Sequence, residues 1–290
     1  MDNFLIIKTG AAGDVVRTTS LLRVLQGNIY WVTAEENKAL MPEGLTTLTT
    51  LTPTEAASDL NSIRFTQVIS LEEDEECARL ASNANTGELV GVYLNNETID
   101  YTENSSYWFD MSRISKLGRT RANELKAENT SSYQDCIFNM TGRRFTGETY
   151  YLYSPGDITP TSMIGIEKRA GGRWPNKHWW GYDDLIRSLE TQGFSVKVFH
   201  QRDNIRDYIA DIASCQHIVS GDSLAMHLAL ANNRSCTAIF NCTSPQEIYD
   251  YGLLKKIVSP LLTDYFYETS DDPEVTRSVG LEEVFASLPL

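Results

Sequence analysis

A repeated change of period constrains this fold most. Short apolar, β-branched runs alternate with segments whose apolar residues recur every three or four positions, and they do so in both halves of the chain. In the first half "FLIIK" (4–8) reads as a strand. It is followed by a helical pattern over about 14–26, where Val15, Leu21, Leu22 and Leu25 repeat at helical spacing. "NIYWVTA", "TQVISL" (66–71) and "ELVGVYL" (88–94) read as further strands. The acids of "EEDEECARLAS" suit the positive end of a helix macrodipole better than a metal site. From about 95 to 145 the pattern loosens, with one helix expected at 131–141. "TYYLYSPGDITP" (149–160) predicts a short strand and then a Pro- and Gly-marked boundary.

Beyond that boundary the alternation restarts. Strands are expected at "MIGIE", "FSVKVFH", "HIVSG" and "CTAIF", and helices at 180–193, "RDYIADIASC", "SLAMHLALAN" and 280–288. Alternation of this kind implies parallel sheets covered by helices on both faces. The expected fold class is therefore α/β, with two Rossmann-like, doubly wound domains over 1–155 and 156–290 facing a central cleft at the strands' carboxyl ends. The sequence leaves open whether the last helix packs back on the first domain.

With 290 residues, a net charge of −14 and a pI near 4.7, the chain lacks the basic surface that drives nucleic-acid binding. The same charge disfavours a polybasic dock on an anionic membrane. No apolar run approaches the roughly 20 residues of a transmembrane helix. The opening "MDNFLIIK" is unlike a signal peptide, and five cysteines without a Cys-x-x-Cys fit reduced thiols. A cytoplasmic location is expected on these grounds.

Three turns could carry chemistry. "TGAAGD" matches neither the dinucleotide nor the P-loop fingerprint, so its Asp14 reads first as a helix N-cap. Small residues such as Gly13 also let a ligand approach the backbone, and a carboxylate there can accept a hydroxyl proton. "HIVSGDSLAMHLALA" (217–231) again runs from strand through turn to helix, with Asp222 in the cap region. Ser223 and His227 stand four apart on one helix face, beside amides that can bind an anion. "AGGRWPNKHWWGYDDL" (170–185) offers Gly172, Arg173 and Lys177 among aromatics, on a loop expected to face the cleft. Taken singly, these are a cap, a packed histidine and a surface loop.

Together they resemble family 9 of the glycosyltransferases, the bacterial heptosyltransferases that extend lipopolysaccharide cores and related glycans. The matching stretches are "LIIKTGAAGDVVRTTSLLRVL", "GGRWPNKHWWGYDDLI" and "IVSGDSLAMHLALANNRSCTAIFNCTSPQEIYDYG", in that order. The resemblance implies the two-domain GT-B fold and an inverting, metal-independent transfer from a nucleotide-sugar, commonly ADP-heptose, with no cofactor. It implies Asp14 as general base and Lys177 as holder of the donor diphosphate. Asp222 would bond the sugar, and the amides at Ser223 and Leu224 would cradle the phosphates with His227. Gly172 and Arg173 would belong to the same donor site. The partners implied are that donor and a glycan, lipid-linked or protein acceptor.

Two departures stand out. The family's Gly-Pro-Thr turn reads Asn241-Cys242-Thr243 here, and the segment leading to "RDYIADI" is short, leaving Asp203 as the nearest candidate for the ribose. The basic stretch "SRISKLGRTRANELK" (112–126) reads as a solvated loop, or as an acceptor loop using Arg119 and Arg121. The rival readings are a nucleotide-sugar epimerase or hydrolase on the same fold, and a non-catalytic nucleotide-sugar-binding scaffold. Donor base, acceptor and oligomeric state stay open at this stage.

Overall fold

The computed structural model describes residues 1–60 and 62–290. The chain divides into two compact units, Met1–Tyr153 and Ser154–Leu290.

The first unit is built on a six-stranded sheet. Its strands are β1 (Asn3–Ile7), β2 (Asn28–Val32), β3 (Leu48–Leu51), β5 (Gln67–Ser70), β7 (Leu89–Asn95) and β8 (Thr98–Tyr101), in the order β3-β2-β1-β5-β7-β8. A small parallel pair, β4 (Arg64–Phe65) with β6 (Asn85–Thr86), forms a separate two-stranded sheet beside the start of β1. Its helices are α1 (Ala12–Thr18), α2 (Pro53–Asp59), α3 (Glu75–Asn83), α4 (Ser106–Phe109), α5 (Arg119–Glu128) and α6 (Tyr133–Met140). β1 lies between β2 and β5 and is buried from Phe4 to Ile7, which is why it reads as an unbroken apolar run. Leu5, Ile7, Val32, Leu51 and Val68 pack against Ala56, Leu60, Cys77 and Ala81 from α2, its C-cap and α3.

The second unit carries β9 (Ser162–Ile166), β10 (Val196–Val198), β11 (Cys215–Gly221), β12 (Ser235–Phe240) and β13 (Leu254–Val258), all parallel, in the order β10-β9-β11-β12-β13. Around them lie α7 (Tyr182–Thr191), α8 (Ile205–Ala213), α9 (Leu224–Ala231), α10 (Pro273–Thr276) and α11 (Leu281–Ala286). The last helix packs within this unit: Val284 and Leu288 cluster with Leu185, Leu189 and Val219, and Ser287 shares a hydroxyl contact with Thr237 at 3.1 Å. Each unit is thus a helix-covered, mostly parallel sheet of the doubly wound kind that the alternation implies.

Several local expectations need correction. The helix expected over 14–26 stops at Thr18 and tightens into a 3-10 turn, Thr19–Arg23. The hydroxyls of Thr18, Thr19 and Ser20 donate back to the carbonyls of Asp14, Val16 and Arg17, competing for the helix's own acceptors. Residues 149–153 form no strand; Tyr151 N–H donates to Thr19 Oγ1 and Tyr153 N–H to the Leu40 carbonyl. The loosened region hides a hairpin: Asn96 and Glu97 both take positive φ, the two-residue turn that joins β7 to antiparallel β8. The basic stretch is no loop from residue 119 onward, because α5 begins there after Gly118.

His217, on β11, shows how the second sheet handles a buried base. Its two ring nitrogens meet Ser235 Oγ at 2.8 Å and Thr237 Oγ1 at 3.0 Å on β12. Burial pushes its pKa down to about 4 from an ordinary 6.5. The folded state therefore stays neutral where the unfolded chain takes up a proton. Stability from this residue is full above pH 6.5 and is lost as pH falls toward 4, by about 3 kcal/mol at most. Urea unfolding at pH 7 and pH 4.5 should show this loss, and His217→Gln should flatten that part of the pH dependence.

Candidate functional site

The strand order reverses beside β1 in the first unit and beside β9 in the second. The turns following those strands, and following their neighbours β5 and β11, are where an open parallel sheet presents ligand-binding groups.

In the first unit the turn after β1 is held from both sides. Glu72, just past β5, accepts the Thr9 N–H at 2.9 Å, the Gly10 N–H at 2.6 Å and the Lys8 ammonium at 2.9 Å, all on Oε1. Asn37 Nδ2 donates to the Thr9 and Gly10 carbonyls at 3.0 and 2.9 Å. Asp14 is not the N-cap that the sequence suggests. Ala11 takes that place without a side-chain bond, and Asp14 is the third residue of α1. The helix closes directly after Ala11, which puts the carboxylate three positions inward from the cap. Its Oδ1 pairs with Arg17 Nη2 at 2.9 Å, and it remains 40% exposed. The Arg17 guanidinium lies over the Tyr133 ring at 3.9 Å, and Tyr133 Oη meets Thr18 Oγ1 at 2.6 Å. Burial alone would depress the Lys8 ammonium, but Asp14 and Glu72 reverse this and hold it above its usual range. Gly13 lies within the first turn of α1.

In the second unit, the loop after β9 ends in a 3-10 turn, Pro175–Lys177, pinned by the fully buried Asn176. Asn176 donates to Ser270 Oγ at 3.1 Å and accepts the Asp272 N–H at 2.9 Å. Lys177 Nζ reaches Asp222 Oδ2 at 2.7 Å, and Thr243 Oγ1 donates to the same oxygen at 2.8 Å. Burial would raise the Asp222 carboxyl, but Lys177 and His227 outweigh it and bring it down to about 2. Asp222 does not cap α9 either; Ser223 holds the N-cap position, with no side-chain bond to the helix. Ser223 Oγ and Asn241 Oδ1 are buried and have no hydrogen-bond partner among the described residues. Asn241 Nδ2 donates to the His178 carbonyl at 2.8 Å, tying the turn after β12 to the Lys177 loop. His227 is buried in the second turn of α9, and Leu224 opens that helix. The first amides of α9 have no carbonyl one turn earlier to bond.

The structure thus brings Lys177, Asp222, Ser223, Leu224 and His227 together at one strand-to-helix turn. Gly172 and Arg173 are exposed on the same loop, with the Arg173 guanidinium 5.5 Å from the Trp174 ring. Asp203 is exposed in the turn before α8. Arg119 and Arg121 lie in α5, where Arg121 pairs with Glu124 and Glu128 at 2.9 and 3.4 Å. Lys8, Asn37, Glu72, Asn176 and Asn241 escaped sequence reasoning. Only the sheet order puts Glu72 beside Lys8, although each does stand just past an apolar strand. Among the described residues no group of three or more His, Cys, Asp or Glu is gathered for a metal, all five cysteines are free and buried, and no helix is long and apolar enough to cross a membrane.

No protein-family profile matches the chain. Lipooligosaccharide heptosyltransferase 2 of Haemophilus influenzae is 29% identical to it over 109 residues, a match covering 28% of this chain and 31% of that protein's length. Among solved structures, a family 9 glycosyltransferase from Veillonella parvula superposes with a TM-score of 0.61 at 15% identity, over 99% of this chain and 95% of that one. The ADP-heptose lipopolysaccharide heptosyltransferase II of E. coli gives 0.59 at 15% identity, over 99% and 98%. The E. coli heptosyltransferase WaaC, solved with an ADP-2-deoxy-2-fluoro heptose, gives 0.58 at 14%, over 92% and 97%.

A methyl group added at Gly221 would come within 2.7 Å of the Lys177 carbonyl oxygen, a backbone atom with little freedom to retreat. Gly221→Ala should therefore push the Lys177 turn off β11 and destabilise the protein by about 1–3 kcal/mol. Urea unfolding measures the loss, and a wild-type midpoint would show that the turn yields freely.

Proposed function

We propose that this chain, which has the fold of the family 9 glycosyltransferases and shares sequence with one heptosyltransferase, is itself an inverting glycosyltransferase that moves a sugar from a nucleotide donor to an acceptor hydroxyl. Its second unit binds the donor and its first the acceptor. The observation that supports this most is the turn between β11 and α9, where an ammonium and unengaged helix amides collect at the carboxyl ends of a parallel sheet. Lys177 has three donor hydrogens and gives one to Asp222, leaving two for phosphate oxygens. The amides of Ser223 and Leu224 add positive partial charge on the same side.

Asp14 takes the proton of the acceptor hydroxyl. That oxygen then attacks the anomeric carbon opposite the diphosphate, the carbon–phosphate-oxygen bond breaks, and the configuration inverts. Negative charge growing on the departing diphosphate is met by Lys177 and the α9 amides. His227 and Arg173 line the donor side, and Asp222, fixed by Lys177 and Thr243, bonds the sugar hydroxyls. The donor of this reading is ADP-heptose. The acceptor is a glycan, lipid-linked or protein hydroxyl, with Arg119 at its margin. Arg121 is the weaker acceptor contact, because two glutamates of its own helix already engage it.

A second reading, a nucleotide-sugar binder without transfer, draws on the Arg17 ion pair that already engages Asp14.

Calorimetry with ADP-, UDP-, GDP- and TDP-sugars separates the readings. ADP-heptose should bind, and Lys177→Ala should weaken it by about 10- to 100-fold, the worth of a charge-assisted hydrogen bond. Asp14→Ala should keep the donor affinity and lose transfer. Binding without transfer in the wild type would favour the second reading, and no binding to any donor would overturn both.

A further inference from the structure

The turn that carries Asp14 is fixed by groups outside it, and their charges bear on Asp14 itself. Lys8 and Glu72 sit at 10% and 13% side-chain exposure, an ammonium and a carboxylate largely removed from water. One Glu72 oxygen gathers two backbone amides and that ammonium, while Asn37 takes the two carbonyls of the same peptides. The backbone of Thr9 and Gly10 is therefore held by both its donors and its acceptors. Gly10 gives the Glu72 carboxylate close approach, since a Cβ there would crowd Oε1 at 3.0 Å and Oε2 at 3.3 Å.

The charged groups around Asp14 explain why Glu72 has a carboxylate and not merely an acceptor. Arg17 pairs with Asp14 directly, and the Lys8 ammonium, just past β1, is held above its usual range by Asp14 as well as by Glu72. Tyr133 on α6 stands beside both cations. The 3-10 turn Glu35–Leu40 contributes only neutral Asn37 to this backbone, because its Lys38 is engaged by Glu35 and Glu55 at 2.9 and 2.8 Å. A bare ammonium beside a carboxylate makes it a poorer base. Glu72 pairs with the Lys8 ammonium at 2.9 Å.

We propose that Glu72, assisted by Asn37, is a positioning residue for the general base: it fixes the β1–α1 turn that carries Asp14 and neutralises Lys8 at the head of that turn. This rests on Asp14 being the base of the transfer reaction.

The test compares Glu72→Ala, Glu72→Gln, Asn37→Ala and Gly10→Ala with wild type in steady-state transfer and in amide hydrogen exchange. Glu72→Ala should lower kcat by about 10- to 100-fold, the scale of a small misplacement of a reacting group. Its donor Kd should stay within about twofold of wild type, and exchange at Thr9 and Gly10 should quicken. Glu72→Gln keeps an oxygen for the amides but drops the charge, so it should restore their protection without restoring kcat. Gly10→Ala should displace the carboxylate by a few tenths of an ångström and quicken exchange less than Glu72→Ala does, and Asn37→Ala should quicken exchange with a smaller loss of kcat. In an Asp14→Ala background, Glu72→Ala should cost nothing further.

Unchanged exchange at Thr9 and Gly10 in Glu72→Ala would overturn the clamp whatever the activity. Equal kcat losses with and without Asp14 would overturn its link to the base. A wild-type protein that transfers nothing would instead overturn the transferase reading, and the exchange result would still decide whether Glu72 holds the turn.

Discussion

Each unit of this protein places one ammonium against one carboxylate at the carboxyl end of its sheet, across the gap where strand order reverses. Lys8 follows β1 and Glu72 follows β5; Lys177 comes from the loop after β9 and Asp222 follows β11. Parallel strands send their last carbonyls and the next helix's first amides toward the same edge, so polar groups accumulate there without partners. An ion pair spanning neighbouring strands satisfies several of them at once. It also makes the arrangement hard to dismantle, since removing one member leaves the other charged in a poorly solvated place. Mutation of a single member therefore does more than delete a contact.

The two pairs do different things with the backbone. In the first unit the carboxylate turns inward to the peptide groups of Thr9 and Gly10. In the second, the carboxylate is occupied by Lys177 and Thr243, and the peptide groups at the head of α9 keep their positive edge. The first turn is thus closed on itself and displays a side chain, Asp14. The second is open and displays amides and an ammonium. The proposed roles, Asp14 as base and Lys177 with the α9 amides as receptor for negative charge, draw on this asymmetry. For a chain of net charge −14, that local reversal of sign matters, because the overall charge repels an anionic ligand.

Much of the fold was legible because strands buried on both faces leave continuous apolar runs, such as Phe4–Ile7 and Ile218–Val219. Helices such as Tyr182–Thr191 leave a periodic stripe. The elements that escaped lack those marks. α5 carries charge almost all round and buries only Ala122, so no stripe announces it. β13 has two lysines in five residues, and Lys256 is at home there only because its ammonium donates to the Pro245 and Ile248 carbonyls. The hairpin turn uses Glu97 at positive φ, where a glycine would have been the readable signal. In the candidate site, glycines and acids were visible at strand-to-helix turns, but their pairing was not. That Glu72 faces Lys8, or Thr243 Asp222, follows from strand order, which no local pattern encodes.

The capping assignments failed for a related reason. An acid after a small-residue turn is ordinarily placed at the cap, because a side-chain oxygen there relieves a helix amide. Here both helices begin without that relief, at Ala11 and at Ser223. A carboxylate serving as cap would already have spent its oxygen on the backbone. With neither acid at the cap, Asp14 pairs with Arg17 one turn into its helix, and Asp222 bonds Lys177 instead of Leu224 or Ala225. The local cost is about 1 kcal/mol per missing cap. The benefit is a pair of helix starts whose polar groups remain addressed to something other than the helix.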